Sequence, residues 1–339
     1  MLKSVSTRAA ASPRATVSPV HRLSARRVVI AGTAAPVAPI ATNGANGNGA
    51  TAAIVPAPAA PATPAPAPPA PIPGVLPPPA AFAAVVNAGA AKAAMPGWKS
   101  FVMGIMAGCY ISFGGFMAVT VATMCTGLGV GSPILTRLAM GALFPFGLLI
   151  TLVCGAELYT GNTALVAAAV AEKKASVGAM LRNWACSYAG NFVGSLLMAG
   201  LVVATGLLDT SGAAKAMTVA KCSLPFGQAL VRGLLCNWLV VAAVWMAAAA
   251  TSLPGKMLAA YLPVMAFITL GLEHSVANMF FCSLGIAQGA PVAFTDFLTR
   301  NLLPVTLGNT LAGVLCMAAA YCLCYGTAKA QEAPKAKAA

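Results

Sequence analysis

Between Trp98 and Gly326 the chain runs through long apolar segments, and two of them are interrupted by the same polar pattern. The run from Leu138 to Val153 meets Cys154-Gly-Ala-Glu-Leu-Tyr-Thr-Gly-Asn162 before turning apolar again. A later run meets Gly271-Leu-Glu-His-Ser-Val-Ala-Asn278 and does the same. Sixteen residues at 1.5 Å rise cover about 24 Å, short of a hydrocarbon core of about 30 Å. Both segments therefore read as broken helices with irregular backbone at membrane depth, which is tolerated only when buried in protein or lining a wet cavity.

Six apolar segments are predicted, at 98–124, 138–172, 183–208, 226–252, 257–289 and 301–326. With 59% hydrophobic and 8% charged residues, against about a quarter charged in soluble domains, the chain is an all-α polytopic membrane protein. Gly155, Glu157 and Asn162 repeat as Gly271, Glu273 and Asn278 at the same spacing. Arg182-Asn183 and Gly190-Asn191 repeat as Arg300-Asn301 and Gly308-Asn309. The chain is thus a duplicated three-span unit, and an odd number of spans inverts the second copy. Paired breaks in inverted repeats mark a translocation site near the midplane.

His274 is the one histidine in the apolar region; the other, His21, lies in a leader. An ionisable group at membrane depth costs about 2.5–3.5 kcal/mol on insertion scales, so His274 is a functional candidate before it is a helix tie. Its ordinary pKa of about 6.5 suits proton exchange near neutrality. Glu157 and Glu273, repeated at the same place in each half, are expected to be structural, with Asn162 and Asn278 beside them. Arg232 reads as snorkelling or capping a neighbouring helix.

Residues 1–35 are rich in Arg and Ser and contain no acid, and the first carboxylate of the whole chain is Glu157. That is the composition of an organellar transit peptide. An Ala/Pro/Gly-rich linker follows over 36–80, then a short amphipathic, interfacial segment over 80–97, the channel domain over 98–326 and a basic tail over 327–339. The net charge of +14 lies largely outside the apolar runs, and no basic stripe interleaved with aromatics points to nucleic acid. By the positive-inside rule both termini face the organelle interior. Most of the ten cysteines sit inside predicted spans at spacings that match no metal motif, so neither a metal nor a cofactor is expected. An intramembrane enzyme built on Glu273 and His274 would need a nucleophile or metal motif that is missing, so no enzymatic activity is expected.

Four stretches resemble signatures of the formate/nitrite transporter family: Gly155-Ala-Glu-Leu-Tyr-Thr-Gly-Asn162, Cys236-Asn-Trp-Leu239, Gly271-Leu-Glu-His-Ser-Val-Ala-Asn-Met279 and Asn301-Leu-Leu-Pro-Val-Thr-Leu-Gly-Asn309. The resemblance covers about 98–326, and with the leader it is most like the green-algal plastid branch of nitrite and bicarbonate channels. It implies an aquaporin-like six-span protomer, a homopentamer and a pore in each protomer. It further implies that His274 is the central pore histidine, with Thr160 as its hydrogen-bonding neighbour and Leu158 and Tyr159 on a gating loop. Phe144 would form the inner constriction, and Leu148 with Phe267 the outer one. Lys221 would be the basic residue of the outer vestibule and Asn237 a polar pore contact. A hydroxyl at Tyr159, where bacterial members carry phenylalanine, would make the inner slit more polar. The expected cargo is a small weak-acid anion, nitrite first, with bicarbonate as the alternative and formate a third candidate. The expected setting is a chloroplast membrane, the inner envelope, with lipid around the protein.

Overall fold

The computed structural model describes residues 74–208 and 212–327. The expected leader, almost all of the linker, nearly the whole basic tail and Asp209 lie outside the described residues. What is described is helical, apart from one antiparallel bridge between Val75 and Ala250.

Helix starts follow local chemistry. The hydroxyls of Ser132, Ser176 and Ser252 accept from the amides of Leu135, Ala179 and Gly255, each satisfying one of the free N–H groups of a first helical turn. The helices are α1 (Pro78–Ala94), α2 (Gly97–Gly127), α3 (Pro133–Leu143), α4 (Phe146–Val153), α5 (Tyr159–Ala171) and α6 (Val177–Ala204). The second half repeats the series as α7 (Ala213–Cys222), α8 (Phe226–Ala249), α9 (Leu253–Leu270), α10 (Ser275–Ala287) and α11 (Phe294–Tyr325). α11 carries two π-type stretches, Phe297–Leu302 and Ala312–Ala319.

Among the described residues six helices are long and apolar enough to cross a membrane, and the fold is the expected inverted repeat. Two details differ from the sequence reading. The first limb of the second span begins at Pro133, not Leu138, so α3 and α4 together run 21 residues and reach the length of a full crossing. Pro145 divides them, since it has no N–H to give and its ring crowds the preceding turn. At each break the chain turns at a glycine, Gly155 (φ +72°) or Gly271 (φ +72°), and resumes after a short irregular stretch as a 13-residue helix, α5 or α10.

The second difference concerns α1. It is no detached interfacial helix, because Phe82, Val85 and Val86 bury against Leu165, Ala168 and Val244. α1 stands to the first half as α7 stands to the second, so the repeated unit is a short helix plus three spans.

The halves are zipped internally by α2 on α6 and α8 on α11. A Cβ on Gly190 would strike the Phe101 carbonyl oxygen, and one on Gly308 the Leu230 carbonyl oxygen. That contact explains the repeated Gly-Asn pair: the glycine lets two backbones touch, and the asparagine after it bridges them. Small residues at such crossings are how helices pack where lipid removes the hydrophobic drive.

Candidate functional site

The two breaks are held by the same network built twice. In the first, Lys92 Nζ pairs with the Glu157 carboxylate at 2.5 Å. Asn162 Nδ2 donates to Glu157 (2.8 Å) and to Asn183 Oδ1 (3.0 Å), and Asn183 Nδ2 donates to Glu157 (3.1 Å) and the Lys92 carbonyl (3.2 Å). In the second, Lys221 Nζ pairs with Glu273 at 3.0 Å. Asn278 Nδ2 donates to Glu273 (2.6 Å) and Asn301 Oδ1 (2.8 Å), and Asn301 Nδ2 to Glu273 (3.2 Å) and the Lys221 carbonyl (3.0 Å). The carboxylates and all four asparagines are buried. Each carboxylate thus faces one cation and two amide donors, the company a buried charge requires.

Two further asparagines stitch the irregular backbone. Asn191 Oδ1 accepts from the Tyr159 N–H (2.9 Å), while its Nδ2 donates to the carbonyls of Gly104 and Glu157, both at 2.9 Å. Asn309 accepts from the Ser275 N–H (2.8 Å) and donates to the carbonyls of Gly233 (2.7 Å) and Glu273 (3.1 Å). Only a carboxamide offers an acceptor and two donors together, so an aspartate could not replace either. Backbone groups freed by the breaks are satisfied within protein, as the membrane interior demands.

The breaks meet at one contact. Thr160 Oγ1, on the first turn of α5, lies 2.9 Å from His274 Nε2, the residue before α10. His274 also caps α10, its Nδ1 accepting from the Ala277 N–H at 3.1 Å. In the neutral ring Nδ1 is then the acceptor, the proton sits on Nε2, and Nε2–H donates to Thr160. The N-termini of two short helices converge here, and their dipoles set partial positive charge at the meeting point.

Around this contact is a void of about 10 Å³, room for about one water, lined by Ile111, Phe144, Leu148, Leu158, Val240, Val264, Phe267 and His274. Six of the eight are repeat mates. Ile111 and Val240 lie seven residues past the clasped Gly104 and Gly233. Leu148 and Val264 lie nine before the two glutamates, and Leu158 and His274 directly follow them. The void thus takes its walls evenly from both halves, and the imidazole is its one polar wall.

Several expected placements are corrected. Phe144 does not stand apart from Phe267: their rings meet edge-on at 5.8 Å, with Phe281 at 6.0 Å from Phe144, so the three form one aromatic neck on the Lys221 side. Leu148 lies a turn further along α4 and lines the void together with Leu158. Asn237, expected as a polar pore contact, has its Nδ2 donating to Asn309 O (2.6 Å), Thr163 Oγ1 (3.2 Å) and Thr160 O (3.3 Å), while its buried Oδ1 has no partner among the described residues. The Tyr159 hydroxyl is bonded to Thr310 Oγ1 at 2.7 Å.

Lys221 lines a cavity of about 440 Å³ with Glu273, Gly271, Arg137 and Arg232. Arg232 therefore borders this cavity, and does not merely snorkel. Sequence reading does not single out Lys92 as a partner of the first break. The signal was present: Lys92 precedes Gly104 by twelve residues, as Lys221 precedes Gly233. Among the described residues no group of His, Cys, Asp or Glu is arranged to hold a metal ion.

The formate/nitrite transporter family profile matches residues 79–323, so the resemblance begins at α1 and not at residue 98. A probable formate transporter of Methanothermobacter thermautotrophicus is 38% identical over 252 residues, covering 69% of this chain and 91% of that protein. A solved FNT family ion channel superposes with a TM-score of 0.66 at 32% identity, covering 72% of this chain and 98% of its own. A pentameric formate channel with formate bound gives a TM-score of 0.60 at 33% identity, covering 68% and 97%.

Proposed function

This chain belongs to the formate/nitrite transporter family, and from that premise and the geometry of its two breaks we propose that it is a channel for a small monovalent weak-acid anion. The observation that carries the reading is the 2.9 Å contact between Thr160 and His274, set in a water-sized void between apolar necks. A bare anion entering such a void loses its hydration at a cost of several kcal/mol. A neutral acid loses far less. The Nε2–H of His274 and the two helix N-termini supply the only positive edge there, and they stabilise the anion while it gains or gives up a proton. A doubly protonated ring would set Nδ1–H against the Ala277 N–H, so taking up a second proton means releasing the α10 cap. His274 thus rests neutral as a hydrogen-bond donor; when it relays a proton, Nε2–H passes to the anion as Nδ1 takes one up from water, and the α10 cap opens for that step.

Nitrite is the proposed cargo and a plastid envelope the proposed membrane; the acid-free, Arg- and Ser-rich leader supports import into an organelle. Formate is the second reading, favoured by the relatives named for it. The likeness to a pentameric channel supports a homopentamer. Flux into proteoliposomes is the test, with nitrite, formate and bicarbonate compared between about pH 5 and 8, around the ordinary imidazole pKa. Nitrite and formate are expected to pass faster as pH falls, and His274→Ala to lose both rate and pH dependence. A variant with unchanged rate and profile would remove the proton role.

A further inference from the structure

The two breaks share a framework but not a decoration. Above Gly155 there is open space, whereas a Cβ on Gly271 would lie 3.2 Å from the Arg137 guanidinium. Both glycines have φ +72°, so backbone does not account for the difference. The carbonyls that accept from the Glu157 and Glu273 amides belong to Met103 in the first half and Arg232 in the second. Two cations thus stand on the Lys221 side at positions where the other half offers none.

Their charge is uncompensated. Lys221 is paired with Glu273 at 3.0 Å, and the two cancel in formal charge. Arg137 and Arg232 have no ion-pair partner among the described residues. The 440 Å³ cavity they border holds three basic residues and one carboxylate, so its net positive charge is that of the two arginines. A concave, low-dielectric pocket focuses such a field and raises the local anion concentration. A guanidinium also presents a planar fork that matches two oxygens of one anion, which a spherical halide cannot engage.

We propose that Arg137 and Arg232, and not the neutralised Lys221 pair alone, form an anion-collecting site in this cavity, selective for planar oxyanions that present two oxygens side by side, such as nitrite, formate and bicarbonate. Arg137 is held over the turn at Gly271, so a captured anion sits at the mouth of the break that leads to His274. The inference rests on the channel reading above and deepens it.

The test uses the full chain in proteoliposomes, with initial rates for nitrite and formate over a range of concentrations and salt. In the parent, flux at low substrate should fall as ionic strength rises from about 20 to 200 mM, the range over which screening takes hold. Arg137→Gln and Arg232→Gln should each raise KM about three- to ten-fold at low salt with a modest change in maximal rate, and the gap should close at high salt. Arg137→Lys should keep the salt dependence and lose preference for nitrite over chloride. Elution volume and melting temperature matched to the parent show that each variant is folded. Unchanged KM and salt dependence in both glutamine variants, or a fall in maximal rate alone, would overturn the inference while leaving the channel standing. A parent that carries none of the three anions would overturn the channel reading and this inference together.

Discussion

The break at Glu157 and the break at Glu273 are near copies in their supports and opposites in their centres. Each has a glycine at φ +72°, a buried carboxylate between a lysine and two asparagines, and a clasping asparagine from the following span. Directly after the glutamate, one copy carries Leu158 and the other His274. Both residues occupy the position before a 13-residue helix, but only the histidine caps it. Duplication thus supplied a symmetric scaffold, and one side chain on that scaffold supplies the chemistry. If both copies carried histidine, two rings would compete for one void; if both carried leucine, the void would have no polar wall.

Breaking the scaffold should hurt both halves alike. Asn191→Asp and Asn309→Asp each remove two donated bonds and bury an unpaired charge, and each is expected to destabilise the protein by about 3–5 kcal/mol in a denaturant titration in detergent. A loss confined to one variant would show that the halves are not equivalent in stability. Breaking the chemistry should hurt one half alone. His274→Leu, which makes the centre symmetric, should lower nitrite flux about a hundred-fold and flatten its pH profile. Melting should shift little beyond the lost cap, worth about 1 kcal/mol.

Smaller effects sharpen the comparison. Gly190→Ala and Gly308→Ala push a methyl into the facing carbonyl and should each cost about 1–3 kcal/mol. Equal values from thermal unfolding would support equal zippers, and a much milder value at Gly308 would show that the π-type stretches flanking it let α11 yield. Tyr159→Phe removes the bond to Thr310, for about 1 kcal/mol or less, and should leave flux close to the parent's because that hydroxyl does not face the void. A large flux change there would return the hydroxyl to the pathway.

Much of this could be read from residue order. Polar groups inside apolar runs are conspicuous, and their recurrence at equal spacing revealed both the duplication and the breaks. Lys92 was harder, because its partner Glu157 is 65 residues away and a lysine near a span end has a ready explanation as a topology signal. The sequence separates Phe144 from Phe267, and only the folded chain brings the two rings to 5.8 Å. Arg137 lies on α3, because Ser132 and Pro133 start that helix before the apolar run begins at Leu138.

The amino-acid order alone determined six spans, an inverted duplication, two interrupted helices and the one histidine among them, since each follows from apolar length and polar spacing along the chain. Tertiary structure decided which groups meet: Thr160 with His274, Lys92 with Glu157, Phe144 with Phe267, and Arg137 over Gly271. Contacts between residues this far apart in the chain depend on how two inverted halves dock, and no local pattern encodes that docking.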